Sequence, residues 1–187
     1  KWNGHLLNWY NTKTLKPLFP RYISTVDNGN FLAYCITARE GVNKLFDNSE
    51  EKNDIILKLD RLINEVDFSL LYDKKKNVFS IGYNIEEGRL TNSFYDLLAS
   101  EARQTSFLAV ARHEAPVKHW FSLGRSLTKL NHEKGLVSWT GTMFEYLMPL
   151  LVMKNYPKTL LNETYDFVVK SQMIYAKKKN TFKISKG

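Results

Sequence analysis

The sequence predicts an all-α fold built from helix pairs, with one or two small β-hairpins attached. Three observations carry this expectation. Apolar residues recur at helical spacing in five separate runs. Each run is preceded by Ser, Thr, Asp or Asn, the residues that cap helix N-termini. The β-rich stretches are confined to two short places, residues 68–82 and 123–139.

Taken in order, residues 1–27 read as an irregular segment rich in large amphipathic groups. Trp2, Asn3, His5, Asn8, Trp9, Tyr10 and Asn11 are followed by Pro17, Pro20, Arg21 and Tyr22. Aromatic rings offer flat apolar faces, and Asn, His and Arg offer directional hydrogen bonds, the combination that suits a sugar. A loop clamped down by its own aromatics is the competing reading. A first helix is expected to begin near residues 28–30, where the periodic run Phe31, Cys35, Ala38, Val42 and Leu45 starts. Asp27 is then either its N-cap or, with Asn28 and Asn30, a polar group at the helix mouth that meets a ligand. Ser49 is the expected cap of a second helix with the stripe Ile55, Ile56, Leu59, Leu62, Ile63 and Val66. A hairpin with a charged turn at residues 73–77 follows and reads as an appendage.

The third helix is expected from a Ser93 cap to about His113, before Pro116. Phe94, Leu97, Leu98, Ala102, Thr105 and Leu108 would share one face, and Glu101 would fall among them. A carboxylate there needs a cation, or else faces a cavity where burial raises its pKa and suits it to general acid work. Asp96 stands at the third position after Ser93, as in a capping box. Residues 123–139 read as a loop or short hairpin. Thr142 and Glu145 have Thr-x-x-Glu spacing, so Glu145 is a capping residue or a second functional carboxylate. Pro149 is expected to kink that helix. A last helix is expected over residues 159–179.

Composition narrows the class. At 187 residues, with 43% hydrophobic and 25% charged, the chain should hold one globular domain with a full core, or part of a larger one. No repeat, low-complexity linker or boundary divides residues 1–187, so a single domain is expected. The net charge of +8 collects at residues 74–76 and 177–186, a turn and a tail rather than one face, which argues against a nucleic-acid partner. The longest apolar run, residues 146–153, contains Pro149 and falls well short of the ~20 residues of a membrane span, so no membrane contact is expected of this segment. The chain opens on Lys1-Trp2-Asn3-Gly4 without Met, which suggests a piece of a longer or processed polypeptide. The single Cys35 has no internal partner. The spacing of His113, Glu114 and His119 matches no zinc motif, and no metal or cofactor is implied.

Seven motifs together resemble one family. They are Trp2-Asn-Gly-His-Leu-Leu-Asn-Trp-Tyr10, Arg21-Tyr-Ile-Ser-Thr-Val-Asp-Asn-Gly-Asn30, Phe68-Ser-Leu-Leu-Tyr72, Phe79-Ser-Ile-Gly-Tyr-Asn84, Tyr95-Asp-Leu-Leu-Ala-Ser-Glu-Ala-Arg103, His119-Trp-Phe121 and Ser138-Trp-Thr-Gly-Thr-Met-Phe-Glu-Tyr-Leu-Met-Pro149. Over residues 2 to about 176 the chain resembles the glucoamylase-like central domain of the cyclic β-1,2-glucan synthases, large membrane enzymes with other catalytic regions. The resemblance implies an (α/α)6 barrel of paired helices, here a partial one, and hydrolysis or transglycosylation of β-1,2-glucan. It implies that Glu101 is the acid/base, with Asp27 a second catalytic candidate. Trp2, His5, Asn8, Trp9, Tyr10, Arg21, Asn28, Asn30, Tyr83, Arg103, Trp139 and Glu145 would line the sugar cleft. It implies a β-glucan oligosaccharide or polysaccharide as partner and a cytoplasmic location, with the parent anchored in the inner membrane.

One departure stands out. Where the family pattern has Ile-Ser-Glu-Ser, this chain reads Ile184-Ser185-Lys186-Gly187. A Lys cannot act as the glycosyl nucleophile, and retaining or inverting chemistry needs two carboxyl groups. Weak or absent catalysis is therefore expected of this chain alone, with self-association through exposed barrel faces. The alternative to an enzyme is a non-catalytic carbohydrate-binding or structural fragment.

Overall fold

The computed structural model describes residues 1–130 and 132–178. Two compact units form: residues 1–96 with 102–123, and residues 97–101 with the chain from 124 onward. Helices predominate in both, and among the described residues they are joined by three small antiparallel sheets.

The first unit opens with a segment held by hydrogen bonds rather than by long elements. Trp2 and His5 exchange both main-chain hydrogen bonds, each 2.9 Å. Between them Asn3 and Gly4 have φ of 45° and 80°, the two-residue turn for which Asn-Gly is a strong local signal. Gly4 is also required for space, because a Cβ there would lie 1.7 Å from the carbonyl oxygen of Glu65.

Strand β1 (Tyr22–Ser24) runs directly into helix α1 (Thr25–Leu45). Ser24 is the cap, its hydroxyl accepting from the Asp27 N–H at 3.3 Å. The helix thus starts earlier than expected, since residues 24–30 hold several good capping types and spacing cannot choose among them. Helix α2 (Glu50–Glu65) follows a short connection and is capped by Ser49 as expected. Lys52 joins the two helices. Its buried ammonium donates to the carbonyls of Asn43 (2.8 Å) and Phe46 (2.9 Å), which the end of α1 leaves without helical partners.

Five short strands come next: β2 (Tyr72–Asp73), β3 (Val78–Ser80), β4 (Gly82–Asn84), β5 (Arg89–Leu90) and β6 (Phe94–Tyr95). They form two antiparallel sheets, ordered β1-β4-β5 and β2-β3-β6. The charged turn at residues 73–77 is present, with Asp73 accepting from the N–H groups of Lys75 and Lys76. The hairpin is not an appendage, however. Phe68, Leu71, Tyr72 and Phe79 are core, packed with Ile23, Leu32 and Ala109.

The single helix expected over residues 94–113 is not formed. Phe94 pairs with Ser80 and Tyr95 with Phe79, the Ser93 carbonyl accepts from Ile81, and residues 96–102 turn. Only then does α3 begin (Arg103–Ala111), followed by the short α4 (Val117–Ser122). Ser93 is therefore no helix cap and Asp96 no capping-box partner. The apolar spacing was compatible with a helix, but strand pairing to β3 satisfies the main chain instead. Helix α3 crosses α1 closely at Gly29, where a Cβ would lie 1.7 Å from Thr105 Oγ1.

In the second unit β7 (Leu127–Leu130) and β8 (Glu133–Leu136) form a hairpin, one of the two readings of this stretch. Thr142 caps α5 (Met143–Leu147), and a 3-10 turn at Met148–Leu151 succeeds it. Pro149 thus lies in the turn that follows a short helix and does not kink a long one. Helix α6 (Leu160–Lys178) packs on β8. The Phe167 ring lies 2.3 Å from where a Gly135 Cβ would be. The buried Thr164 hydroxyl accepts from the Leu136 N–H (3.1 Å) and donates to the Leu160 carbonyl (2.7 Å).

Ala is a better helix former than Gly by roughly 0.5–1 kcal/mol, so Gly29→Ala would stabilise α1 if space allowed. The contact with Thr105 reverses the sign: a net loss of about 1–3 kcal/mol is expected in chemical denaturation. Thr105→Ala should recover part of it, because the nearest clashing atom is removed.

Candidate functional site

Eleven of the candidate residues lie in the first unit. His5 and Asn28 are fully buried there and serve the fold. The Asn28 Oδ1 accepts from the Leu6 N–H at 2.7 Å, and its Nδ2 donates to the carbonyls of Leu6 (3.0 Å) and Ser24 (2.9 Å). The His5 Nε2 faces the Asp67 carbonyl at 2.8 Å, so it carries the hydrogen, and the ring packs edge-on against Phe68. Arg103 is buried at the start of α3.

The others lie nearer the surface. Trp2 is half-buried and stacks on Tyr83, with ring centroids 5.3 Å apart. Trp9 is 54% exposed. The Tyr10 hydroxyl accepts from the Leu7 N–H, and the Asn8 Oδ1 accepts from the Ser24 N–H at 3.1 Å. Arg21 pairs with Glu86 at 2.6 Å, and its own N–H donates to the same carboxylate. Asp27 is exposed in the first turn of α1. Asn30 is half-buried and accepts from Gln104 Nε2 at 3.1 Å.

The second unit holds Glu101, Trp139 and Glu145. Glu101 is half-buried in the turn before Ala102, not on a helix stripe. Glu145 is buried but well supplied with donors. It accepts from the main-chain N–H groups of Trp139 (2.9 Å) and Thr140 (2.8 Å) and from the Thr140 hydroxyl (2.7 Å). Its own N–H donates to Thr142 Oγ1, the half of the capping box that the spacing forecast. The carboxylate reaches back past the cap to hold residues 139–140, which leaves Trp139 54% exposed. The comparable position Lys186 lies outside the described residues.

His119 and Glu114 are each engaged by protein partners. The His119 Nδ1 faces the Asn77 carbonyl at 2.9 Å and therefore donates, so its Nε2 accepts from the Ser106 hydroxyl, also at 2.9 Å. Glu114 accepts from the Phe68 N–H and pairs with Arg112. Sequence reasoning missed Gln104, because a glutamine in an apolar run gives no sign of the neighbour it supports.

No protein-family model matches the chain. Over 116 residues, 62% of its length, it is 43% identical to cyclic beta-(1,2)-glucan synthase NdvB of Rhizobium meliloti (strain 1021). The chain is related to that synthase. The match spans 4% of the synthase's length, so the likeness concerns a small part of a much larger protein.

His5 and His119 are both buried as neutral rings, and desolvation lowers their pKa below the ordinary 6.5 despite opposing hydrogen bonds to the Asp67 and Asn77 carbonyls. The native state then binds fewer protons than the unfolded chain once the pH drops below about 6.5. Stability should be flat with respect to these groups above that pH and fall progressively below it. Urea unfolding between pH 7.5 and 5 should show this slope, and His119→Gln should reduce it.

Proposed function

We propose that this chain is a glucoamylase-like module acting on β-1,2-linked glucan by hydrolysis or transglycosylation, with Glu101 as the proton donor to the leaving oxygen. The observation that carries the reading is the 43% identity to a cyclic β-1,2-glucan synthase over 116 residues, together with the Ser-Glu-Ala-Arg sequence around Glu101. In glycoside chemistry a carboxylic acid protonates the departing oxygen while an oxocarbenium-like centre forms at the sugar carbon. Attack by water gives hydrolysis, and attack by a glucan hydroxyl gives transfer. Glu101 suits the first role in being partly withdrawn from solvent on a turn.

The exposed Trp9 and the Trp2–Tyr83 stack support the sugar-contacting part of the reading, as do Arg21, Asp27 and Asn30. His5 and Asn28 would contribute by holding the segment that carries these rings. In this reading the helix pairs form part of an (α/α)6 barrel, and the module works at the cytoplasmic side of a membrane-anchored parent. Large exposed apolar side chains such as Leu45, Leu57 and Leu151 support self-association.

A second reading, a binding module without catalysis, is favoured by one observation. Glu145, the other carboxylate singled out near Glu101 in motif order, already accepts from three donors that tie down its own loop. Product analysis with linear β-1,2-glucan separates the two. If Glu101 is the acid, the wild-type chain releases or transfers short sugars and Glu101→Gln lowers the rate by about 10²- to 10⁴-fold while binding persists. Binding without any product from the wild type would instead establish the second reading.

A further inference from the structure

The face of α1 that carries Asp27 continues past the residues named so far. Positions 27, 30, 31 and 34 follow the spacing of one helix stripe. On it Asp27 and Tyr34 are exposed, Tyr34 to 43%, and Asn30 and Phe31 are half-buried. The other side, with Leu32, faces the core, and Phe31 at the margin of the stripe packs against it. An acceptor, an amide and a phenol ring are thus displayed together on a rigid element, with no hydrogen-bond partner in the described protein for the Asp27 carboxylate.

Behind Asn30 stands Gln104 of α3, only 1% exposed. Its Nε2 donates to the Asn30 Oδ1 at 3.1 Å, which leaves the Asn30 Nδ2 as the end with hydrogens to give. No described residue accepts them. The Gln104 Oε1 is itself buried without a donor, and buried polar atoms in folded proteins are nearly always matched. Rotating this carboxamide would set two oxygens against each other and leave two N–H groups unmatched in place of one oxygen. The arrangement therefore favours one orientation of Asn30 and asks for a hydroxyl-bearing ligand beside it.

We propose that Gln104 is a positioning residue that holds the Asn30 carboxamide with Nδ2 ready to donate to a sugar hydroxyl, between Asp27 as acceptor and Tyr34 as a stacking ring. This rests on the carbohydrate reading above and adds Gln104 and Tyr34 to it. An amide donor next to a carboxylate acceptor matches adjacent hydroxyls of a pyranose, each of which both gives and takes a hydrogen bond. The tyrosine ring one turn further along supplies the apolar face that the ring C–H groups need.

Calorimetric titration with linear β-1,2-linked gluco-oligosaccharides tests the proposal, with unfolding midpoints measured alongside. Asn30→Asp keeps an oxygen for Gln104 but replaces the outward donor by an acceptor. It should weaken binding by about tenfold or more with little change in midpoint. Tyr34→Ala should weaken binding similarly. Gln104→Met should weaken it in the wild-type background but add nothing in an Asn30→Ala background, because the two residues act as one unit. Equal weakening in both backgrounds would show that Gln104 acts only through the fold and would overturn the positioning role. Should Gln104→Met not fold, Asn30→Asp decides: undiminished binding overturns the proposal. No binding by the wild type would sink the carbohydrate reading itself, an outcome distinct from wild-type binding that the variants leave unchanged.

Discussion

The first unit depends on one buried carboxamide. Asn28 uses its oxygen and both of its hydrogens, on the N–H and carbonyl of Leu6 and on the carbonyl of Ser24. Those bonds fasten an irregular segment to the first turn of α1, where no regular sheet or helix could do so. With Leu6 held, His5 and Leu7 reach the core, and the Asn3-Gly4 turn brings Trp2 onto Tyr83. An aspartate here would lack the two donors, and an alanine would leave buried main-chain groups unmatched, at about 1–3 kcal/mol each. Every surface aromatic of the segment inherits its position from that fastening.

The legible parts of the sequence were those in which local chemistry and tertiary packing agree. Helix α2 has a Ser cap and formed where the spacing put it. Its apolar stripe, expected to be core, is half-buried at best within the helix, with Ile55 exposed. The turn at residues 73–77 and the hairpin at 127–136 were likewise readable from their composition. Residues 94–102 were not. Phe94, Leu97 and Leu98 are spaced for a helix, yet their main chain is taken by β3 on one side and by Gly124 on the other, where Leu98 donates to the Gly124 carbonyl. Such partners are remote in sequence, so spacing carries no trace of them. The same holds for the candidate site. Glu145 announced its capping role through Thr142, whereas nothing near Asn28 or Gln104 in the chain points to Leu6 or Asn30.

Two glutamates of the second unit, Glu101 and Glu145, show how differently a carboxylate can be accommodated. Glu145 is buried and matched by three donors from two consecutive residues, an arrangement that ties a loop to a short helix. Glu101 sits on a turn rather than on the apolar helix face first expected for it, so the burial cost that made it conspicuous in the sequence is smaller. Its standing as the candidate acid rests instead on the sequence around it and on the relationship to the glucan synthase.

The Thr164 hydroxyl also bears on the small sheet of the second unit. Along β8 the Val137 N–H turns toward the Ser126 carbonyl next to β7, so the Leu136 N–H points to the open edge. There it meets a side chain from α6 and not solvent. The Phe167 ring lies over the face of the ribbon at the neighbouring Gly135. Two-stranded ribbons with bare edges invite a further strand from another molecule and so begin aggregates. At Leu136 the helix occupies a group that an incoming strand would need, which makes α6 a guard on the ribbon as well as its packing partner.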